Sequence, residues 1–575
     1  MTIRSIFGAA ALAGAFLVAV PARAGIFQIW TETVQLEADI RPGFESSGPS
    51  WLAVYDETLY FSAKGDAQGK ELWKYNGSSA IRVSDISPGS GDSFPSGLTV
   101  YDGALYFSAS DSPLNGELWR YDGSNAALAA EIQPGPVGSY PEELTVYDGA
   151  LYFSAIAGGG GRQLWRYGGE TAAIVPGTEA LREVQELTIH DGYLWFLARK
   201  PGEGFGRIWR TDGQDTQSIA LIDSKNFLLR PELVSAGADL YASLSHSNYG
   251  LELWRVTTNG LIVEDLYPGE NSTYPTKLTW FNNKLYMSGQ IYEPGFGNLY
   301  GFELVRFDGT TAELVEDINP YVYGNSYPAN MTPFLNSLYF SADILSGTES
   351  VWTGRELYRH DPANDTTILL EDINESESGQ SNGSSSPGWF THAPPAVLYF
   401  SAHDGVNGRE LWSVRRTFGR LHVLLYPKWT PEEMVNPWEW QIAVETENIE
   451  ADVAMAAFLL TNDGRARLFE TLDLKLPRGK ARTDRVITGH GTGDESGIVT
   501  LAVAVFDKQR GDLIGIETVS VGIDERGNER QQAGINRRAA SILEPLSLRA
   551  IQQIEPGSIL AAPGRVAPPR EDMAE

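Results

Sequence analysis

The sequence has 575 residues and is strongly acidic, with a formal net charge of −30 and an isoelectric point of about 4.7. This balance argues against nucleic acid as a partner, because neutralising phosphates requires clustered Lys and Arg. The sequence contains no cysteine, which excludes disulfides, thiolate metal sites and catalytic thiols. Its 60 glycines and 31 prolines suit many short strands joined by turns.

The N-terminus has the features of a secretory signal. Arg4 provides a positive charge, Ser5–Val20 is small and apolar, and Ala22-Arg23-Ala24 fits a small-x-small cleavage site. We therefore expect residues 1–24 to be a signal peptide, cleaved near Ala24-Gly25, and the mature protein to be secreted or periplasmic. No later stretch approaches the roughly 18 to 20 apolar residues that a membrane-spanning helix needs, so we expect no membrane span.

A Leu-Tyr-Phe-Ser-Ala phrase recurs eight times along the next 400 residues, with drift. Its copies begin at Leu59, Leu105, Leu151, Leu194, Leu240, Leu285, Leu338 and Leu398. A Glu-Leu-Trp phrase follows each copy, beginning at Glu71, Glu117, Gln163, Arg207, Glu252, Glu303, Glu356 and Glu410. Self-similarity at a nearly regular period is typical of repeat architectures.

Each unit contains four short β-type segments separated by turn signals. In one unit the segments are Leu98–Tyr101, Leu105–Ala109, Glu117–Tyr121 and Ala126–Ile132. Asp102-Gly103 and Asp122-Gly123 accept the positive φ of tight hairpin turns. Four antiparallel strands in about 46 residues match one blade of a β-propeller. Six of the eight units carry a tryptophan at the same strand position, and we interpret it as a packing residue between neighbouring blades.

The chain begins with half a unit and ends without a clear fourth strand. Val34–Ile40 resembles a fourth strand, which the last unit lacks after Glu410. We expect this N-terminal strand to complete the last blade and so protect the sheet edge. The predicted fold is all-β, with a β-propeller of eight four-stranded blades over residues 25–416. Seven blades is the alternative, because units at Arg207, Glu303 and Glu356 depart from the pattern.

The repeat resembles the bacterial ELWxxDGT repeat family. The phrase Glu117-Leu-Trp-Arg-Tyr-Asp-Gly-Ser124 carries this resemblance, together with Ser401–Arg409 before Glu410-Leu-Trp412. It covers about residues 26 to 415. The resemblance implies a secreted, β-propeller-like protein without an assigned activity, and it supplies no catalytic residues.

Six further segments after the repeats have the pattern of strands. They are Leu421–Tyr426, Trp440–Glu445, Ala451–Thr461, Arg467–Leu476, Ile498–Phe506 and Ile514–Val521. With a hairpin turn at Asn462–Gly464, they predict a small β-sandwich over residues 417–523, with an immunoglobulin-like form as one option. Residues 524–575 are polar and rich in proline, and we expect them to be mostly disordered.

No catalytic constellation is evident. The seven histidines show no metal-binding spacing. We therefore predict no catalytic residue and no cofactor, with calcium as the alternative. The candidate calcium residues follow the second strand of their units, where short Asp- and Gly-rich loops can supply oxygen ligands. They are Asp66, Asp111, Asp343 and Asp404. Ordinary turns are the other interpretation.

Loop length is unequal on the two faces of the predicted propeller. The first and third connections of each unit are tight turns, whereas extra length falls in the second connections and inter-blade links of the last three units. These long segments carry aromatic residues that are candidates for ligand binding. They are Tyr292, Phe296, Tyr300, Tyr321, Tyr323, Trp352 and Trp389. The alternative is that these rings pack down on the propeller.

The first functional hypothesis is an exported, non-enzymatic propeller that binds a polysaccharide or a protein through this face. The second is a propeller hydrolase or lyase that acts on glycans through carboxylates. The third is a structural protein of the envelope or matrix.

Overall fold

Each repeat unit forms one four-stranded antiparallel sheet in the computed structural model of the chain. The structure describes residues 23–203, 206–222, 231–266, 272–291, 301–320, 324–346, 351–374, 383–428, 438–447, 451–460, 465–476, 481–489, 499–508, 513–521, 559–561 and 565–566. Within these ranges the regular secondary structure is all β-strand, with no helix. The chain divides into two units, Thr33–Arg415 and a second made of Met1–Glu32 with Arg416–Glu575.

The first four blades follow one another along the chain. Blade 1 contains β2 (Ser50–Tyr55), β3 (Thr58–Lys64), β4 (Lys70–Tyr75) and β5 (Ala80–Arg82). Blade 2 contains β6 (Ser96–Tyr101), β7 (Ala104–Ser110), β8 (Gly116–Tyr121) and β9 (Ala126–Ala130). Blade 3 contains β10 (Glu142–Tyr147), β11 (Ala150–Ile156), β12 (Arg162–Tyr167) and β13 (Ala172–Ile174). Blade 4 contains β14 (Arg182–His190), β15 (Tyr193–Arg199), β16 (Arg207–Thr211) and β17 (Thr216–Leu221).

The other blades repeat the order, and the last one borrows a strand from the N-terminus. Blade 5 contains β18 (Leu233–Ala236), β19 (Asp239–His246), β20 (Gly250–Thr257) and β21 (Gly260–Val263). Blade 6 contains β22 (Thr276–Phe281), β23 (Lys284–Gly289), β24 (Glu303–Phe307) and β25 (Ala312–Glu316). Blade 7 contains β26 (Ala329–Phe334), β27 (Ser337–Ser346), β28 (Val351–Asp361) and β29 (Thr366–Glu371). Blade 8 contains β30 (Gly388–Ala393), β31 (Val397–His403), the start of β32 (Arg409–Lys428), and β1 (Arg23–Ala38), which pairs with β32.

The eight sheets are arranged in a ring. The first strand of every blade contacts the first strands of both neighbours, and β30 of blade 8 contacts β2 of blade 1. The first strands therefore surround a central channel. The sequence prediction of an eight-bladed, all-β propeller is confirmed.

The N-terminal strand is fixed in blade 8 by a buried carboxylate. Glu37 accepts hydrogen bonds from the Tyr75 hydroxyl at 2.6 Å and from Arg415 Nε at 2.8 Å, and a further short one from Ser413. Ala38 and Ile40 pack against the apolar cluster shared by blades 1 and 8. The first and last parts of the propeller chain are thus held together by side chains as well as by strand pairing.

Apolar clusters fill the spaces between neighbouring blades. In one of them, Tyr60 and Leu72 of blade 1 pack with Leu105 and Phe107 of blade 2. Trp73 lies in the cluster that joins blades 1 and 8, and it is 8% exposed. The tryptophans of blades 3, 4 and 5 are buried in equivalent clusters. These contacts support the interpretation of the repeated tryptophan as packing between blades.

The glutamate of the Glu-Leu-Trp phrase has a structural role. Glu303 is fully buried and accepts hydrogen bonds from the main-chain N–H groups of Ile318 and Ser326, each at 3.0 Å. Both donors lie in the link to the next blade. The same arrangement holds for Glu71, Glu117, Glu252, Glu356 and Glu410. In these six blades the carboxyl therefore fixes the path of the link that follows.

The second unit contains two sheets. One is formed by β32 with β33 (Trp438–Glu447) and β36 (Ala481–Gly489). The other has the order β38 (Leu513–Val521), β37 (Val499–Asp507), β34 (Ala451–Leu460), β35 (Arg465–Leu476), β39 (Ile559–Ala561) and β40 (Arg565–Val566). β36, β39 and β40 were not among the predicted strands, and β39 and β40 fall in the segment that composition predicts to be mostly disordered. The rest of that segment, the signal peptide up to residue 22 and the turn at Asn462–Gly464 lie outside the described residues.

A search of the described part of the chain found no helix long and apolar enough to cross a membrane.

Candidate functional site at the mouth of the central channel

The first strands of at least seven blades begin with a β-bulge. Their pairing register shifts by an extra residue near the strand start, for example between Ser50 and Ala53 in blade 1. At least one residue in each of these strand starts has a positive φ, and in blade 4 Glu183 (57°) is a second one. One residue per blade occupies the equivalent place. The residues are Trp51 (55°), Gly97 (66°), Glu143 (57°), Glu186 (58°), Lys277 (60°), Asn330 (56°) and Trp389 (60°). Glu232 takes the equivalent place before β18. We call these eight residues the bulge ring.

The bulge ring lies at one mouth of the channel. The first strands line the channel, and the ring residues lie at the ends of these strands that follow the inter-blade links. The links and the second connections share this face, so it is the loop-rich face anticipated from the sequence.

Positive φ is cheap for Gly97 and Asn330 but unfavourable for bulkier residues. Trp51 and Trp389 also have a positive φ, and because each has a Cβ, each bears its steric cost. Strained backbone of this kind costs of order 1–3 kcal/mol and concentrates at functional sites. The two tryptophans are therefore the ring members whose side chains most need an explanation.

Trp51 and Trp389 form one wall of a cavity. Their ring centroids are 4.5 Å apart with the ring planes inclined at 46°, and the two residues are 41% and 42% exposed. The cavity measures about 540 Å³ and is lined by residues of blades 8, 1, 2 and 3. Gly97 also lines the cavity, and a Cβ there would lie 3.4 Å from Leu144 Cδ1. The Thr391 hydroxyl donates to the Leu52 carbonyl at 2.8 Å and so joins blades 8 and 1 beneath the rings.

Carboxylates occupy the ring in blades 3, 4 and 5. Each accepts a hydrogen bond from a main-chain N–H of the next blade. The pairs are Glu143 with Leu187 at 3.0 Å, Glu186 with Leu233 at 3.3 Å, and Glu232 with Leu278 at 2.9 Å. Loss of hydration and then the nearby charge of Glu143 raise the pKa of Glu186 to about 7. Loss of hydration also raises the pKa of Glu143. These side chains both join the blades and make this sector of the mouth acidic.

Further aromatic residues lie on the same face, outside the ring. Phe94, Tyr274 and Tyr327 each sit between a buried Ser or Thr and a proline in an inter-blade link, and each has a positive φ. They are 59%, 45% and 46% exposed. Phe302 stacks on Tyr327 with centroids 5.2 Å apart and contacts Tyr274 at 5.9 Å. The sequence analysis missed these residues, although their recurring Ser/Thr-aromatic-Pro triplet is readable.

Of the predicted aromatic residues, Trp389 is part of this site. Trp352 lies in β28, but its side chain is outside the described part of the structure. The others lie outside the described residues altogether. They are Tyr292, Phe296, Tyr300, Tyr321 and Tyr323.

The four aspartates proposed as calcium ligands lie in four different blades. Asp404 accepts from the N–H groups of Val406 and Asn407 in its own turn, and Asp343 pairs with Arg355 at 2.8 Å. Asp111 accepts from Ser112 and Asn115. Asp66 is exposed and lies 3.8 Å from Arg41. The described residues contain no group of three or more His, Cys, Asp or Glu placed to hold a metal ion.

Neither a protein-family model nor a curated protein matches the chain. Solved structures match it weakly. One belongs to a study of two prolyl endopeptidases, with 10% identity, a TM-score of 0.38, and coverage of 68% of this chain and 55% of the peptidase. The chain thus spans about half the length of that protein.

Two other solved structures are covered almost completely. The extracellular domain of a putative hybrid two-component system from B. thetaiotaomicron matches with 10% identity and a TM-score of 0.22, over 86% of this chain and 98% of that one. The SapL1 lectin in complex with alpha methyl fucoside matches with 13% identity and a TM-score of 0.26, over 57% and 96%. Similarities of this strength identify neither a family nor a ligand.

Proposed function

We propose that this propeller is an exported binding module that holds a glycan at the loop-rich mouth of its central channel. The observation that carries the proposal is the pair of half-exposed tryptophans over a cavity of about 540 Å³. Export rests on the signal-like N-terminus, and membership of the ELWxxDGT repeat family stays a prediction.

The chemistry of the mouth suits a sugar. Tryptophan faces offer flat apolar surface to the C–H groups of a sugar ring, and carboxylate oxygens accept hydrogen bonds from its hydroxyls. A ligand cavity typically combines apolar walls with a few polar groups that fix orientation. The Trp51–Trp389 wall and Glu143 supply both kinds of surface on first strands held by inter-blade hydrogen bonds.

One observation favours a second function, glycan hydrolysis. Glu143 and Glu186 are neighbouring carboxyls of the ring, and the pKa of each is raised, which favours the protonated form that a general acid needs. Both already accept main-chain hydrogen bonds, which suits a structural role better. Release of reducing ends from a bound glycan, lost in Glu186→Gln, would establish the hydrolase and displace the pure binding module.

A glycan-array screen of the mature chain tests the proposal. We expect saturable binding by the wild type and loss of that binding in the double variant Trp51→Ala/Trp389→Ala. Val146→Ala is the matched control, because Val146 is an exposed residue of a first strand but does not line the cavity. Thermal unfolding of each variant verifies that the fold is kept. Equal binding by wild type and double variant would contradict the proposed site, and no binding to any glycan would favour the structural-protein hypothesis.

A further inference from the structure

We infer that the ligand of the channel mouth carries a cationic group, as an amino sugar does. This inference rests on the glycan-binding function proposed above and adds the charge of the ligand to it.

The cavity has acidic side chains and lacks basic ones. Among the described residues that line it, the charged ones are Glu142 and Glu143. They lie on blade 3, whereas the tryptophan wall belongs to blades 8 and 1. A ligand in the cavity therefore has aromatic faces on one side and carboxylates on another.

The nearby cations cancel only part of this charge. Arg162 pairs with Glu142 at 2.5 Å and donates to the Tyr140 carbonyl, while Lys277 lies 3.8 Å from Glu232. Glu143 and Glu186 instead accept from neutral main-chain N–H groups. A main-chain donor stabilises a carboxylate without neutralising it, so the four carboxyls Glu142, Glu143, Glu186 and Glu232 outnumber the two cations, Arg162 and Lys277, at this mouth. Loss of hydration and then the charge of Glu143 raise the pKa of Glu186, and a bound cation would offset both effects.

The tryptophans complement a cation as well. The face of an indole ring attracts ammonium groups, and tryptophan does so better than the other aromatic residues. Two exposed rings inclined at 46° present two such faces to one cavity. Neutral sugars also pack against indole faces through their C–H groups. The carboxylates, and not the tryptophans, therefore favour a cationic sugar over a neutral one.

The loop-rich face around the cavity is acidic as well. Six inter-blade links start with an acidic residue immediately before a buried or half-buried aliphatic side chain: Asp39, Asp85, Glu131, Asp265, Asp317 and Asp372. With a net charge of −30 on the whole chain, this face attracts cationic ligands and repels uronates and sulfated glycans.

The test compares three oligosaccharides of equal length by calorimetry at pH 8 and low salt. The probes are an N,N,N-trimethylated glucosamine oligomer, whose charge does not titrate, an N-acetylglucosamine oligomer, and an oligogalacturonate. We expect the trimethylated oligomer to bind at least tenfold more tightly than the neutral one, and the oligogalacturonate not to bind. The advantage of the cation should shrink as sodium chloride is added.

Two variants test whether Glu143 and Glu186 cause the preference for the cationic oligomer. Glu143→Gln/Glu186→Gln keeps an oxygen to accept each main-chain hydrogen bond, so we expect it to lose about tenfold in affinity for the trimethylated oligomer and less than twofold for the neutral one. Glu170→Gln is the control, since it removes an exposed acid from a third connection of blade 3, on the opposite face. Equal affinity of the wild type for charged and neutral oligomers, at every salt concentration, overturns the inference while leaving glycan binding intact. Failure of every glycan to bind overturns the proposed function and the inference with it.

Discussion

The buried glutamate of the Glu-Leu-Trp phrase gives the sharpest prediction about what holds the propeller together. Replacing Glu303 by alanine removes the acceptor for the Ile318 N–H, which then lies buried without its partner. The Ser326 N–H and hydroxyl keep the Phe302 carbonyl at 2.9 and 3.3 Å, so they lose only part of their bonding. A buried orphaned donor costs about 1–3 kcal/mol, and a partly lost hydrogen bond costs about 0.5–1.5 kcal/mol. We therefore expect Glu303→Ala to lower the free energy of unfolding by about 2–6 kcal/mol.

The matched control is Glu303→Gln, because blade 3 carries Gln163 at the equivalent position. A glutamine retains one acceptor oxygen, so we expect it to cost about 1 kcal/mol. Urea unfolding of the mature chain, followed by tryptophan fluorescence and circular dichroism, measures both. An alanine variant with the wild-type midpoint would refute the anchoring role. A glutamine variant as damaged as the alanine variant would show that charge or shape matters, and not the acceptor.

Three further predictions follow from the same contacts. Burial raises the pKa of Glu303 and of Glu356 from 4.5 to about 7, so between these pH values the folded chain binds more protons than the unfolded chain. The stability that this gives is complete below pH 4.5 and is lost as the pH rises through 7. The melting temperature should therefore fall over that range, and it should fall less in the variant Glu303→Gln/Glu356→Gln. Trp51→Gly should abolish glycan binding yet change the free energy of unfolding by less than about 1 kcal/mol, because glycine adopts the positive φ without strain and this gain offsets the lost ring contact with Trp389. A much larger destabilisation in urea unfolding would show that Trp51 stabilises the fold. Glu37→Ala should cost about 2–4 kcal/mol and make the chain easier to cleave by protease near its N-terminus, because it releases Tyr75 and Arg415 from the closing strand; an unchanged cleavage rate would contradict this anchor.

Local sequence signals accounted for the blades. The Asp-Gly turns and the alternating apolar phrases specify hairpins within about 46 residues, and the repetition of those hairpins specifies the propeller. Trp73 could be assigned to packing because an aromatic residue recurs at the same position in seven of the eight units and has to fill a repeated space. These inferences succeed because each contact is made within one unit or with the next one.

The candidate site depends on contacts that no single unit reveals. Trp51 and Trp389 meet only because the ring closes, and they are separated by most of the propeller sequence. The bulge ring could not be predicted from the sequence either, because its positive φ values fall mostly on residues other than glycine. Trp389 was predicted as one of several loop aromatics, whereas its contacts place it over the channel. The aspartates at 343 and 404 make turn and ion-pair contacts, and residues of that kind look the same in sequence as calcium ligands.

The central claim is that a glycan binds against the paired tryptophans. Calorimetric titration of the mature chain with the oligosaccharide that binds best on the array, repeated on Trp51→Ala/Trp389→Ala and on Val146→Ala, tests it most directly. The account predicts that the wild type and Val146→Ala bind with equal affinity and one site per chain, and that the double variant binds at least a hundredfold more weakly. Undiminished binding by a folded double variant would contradict it.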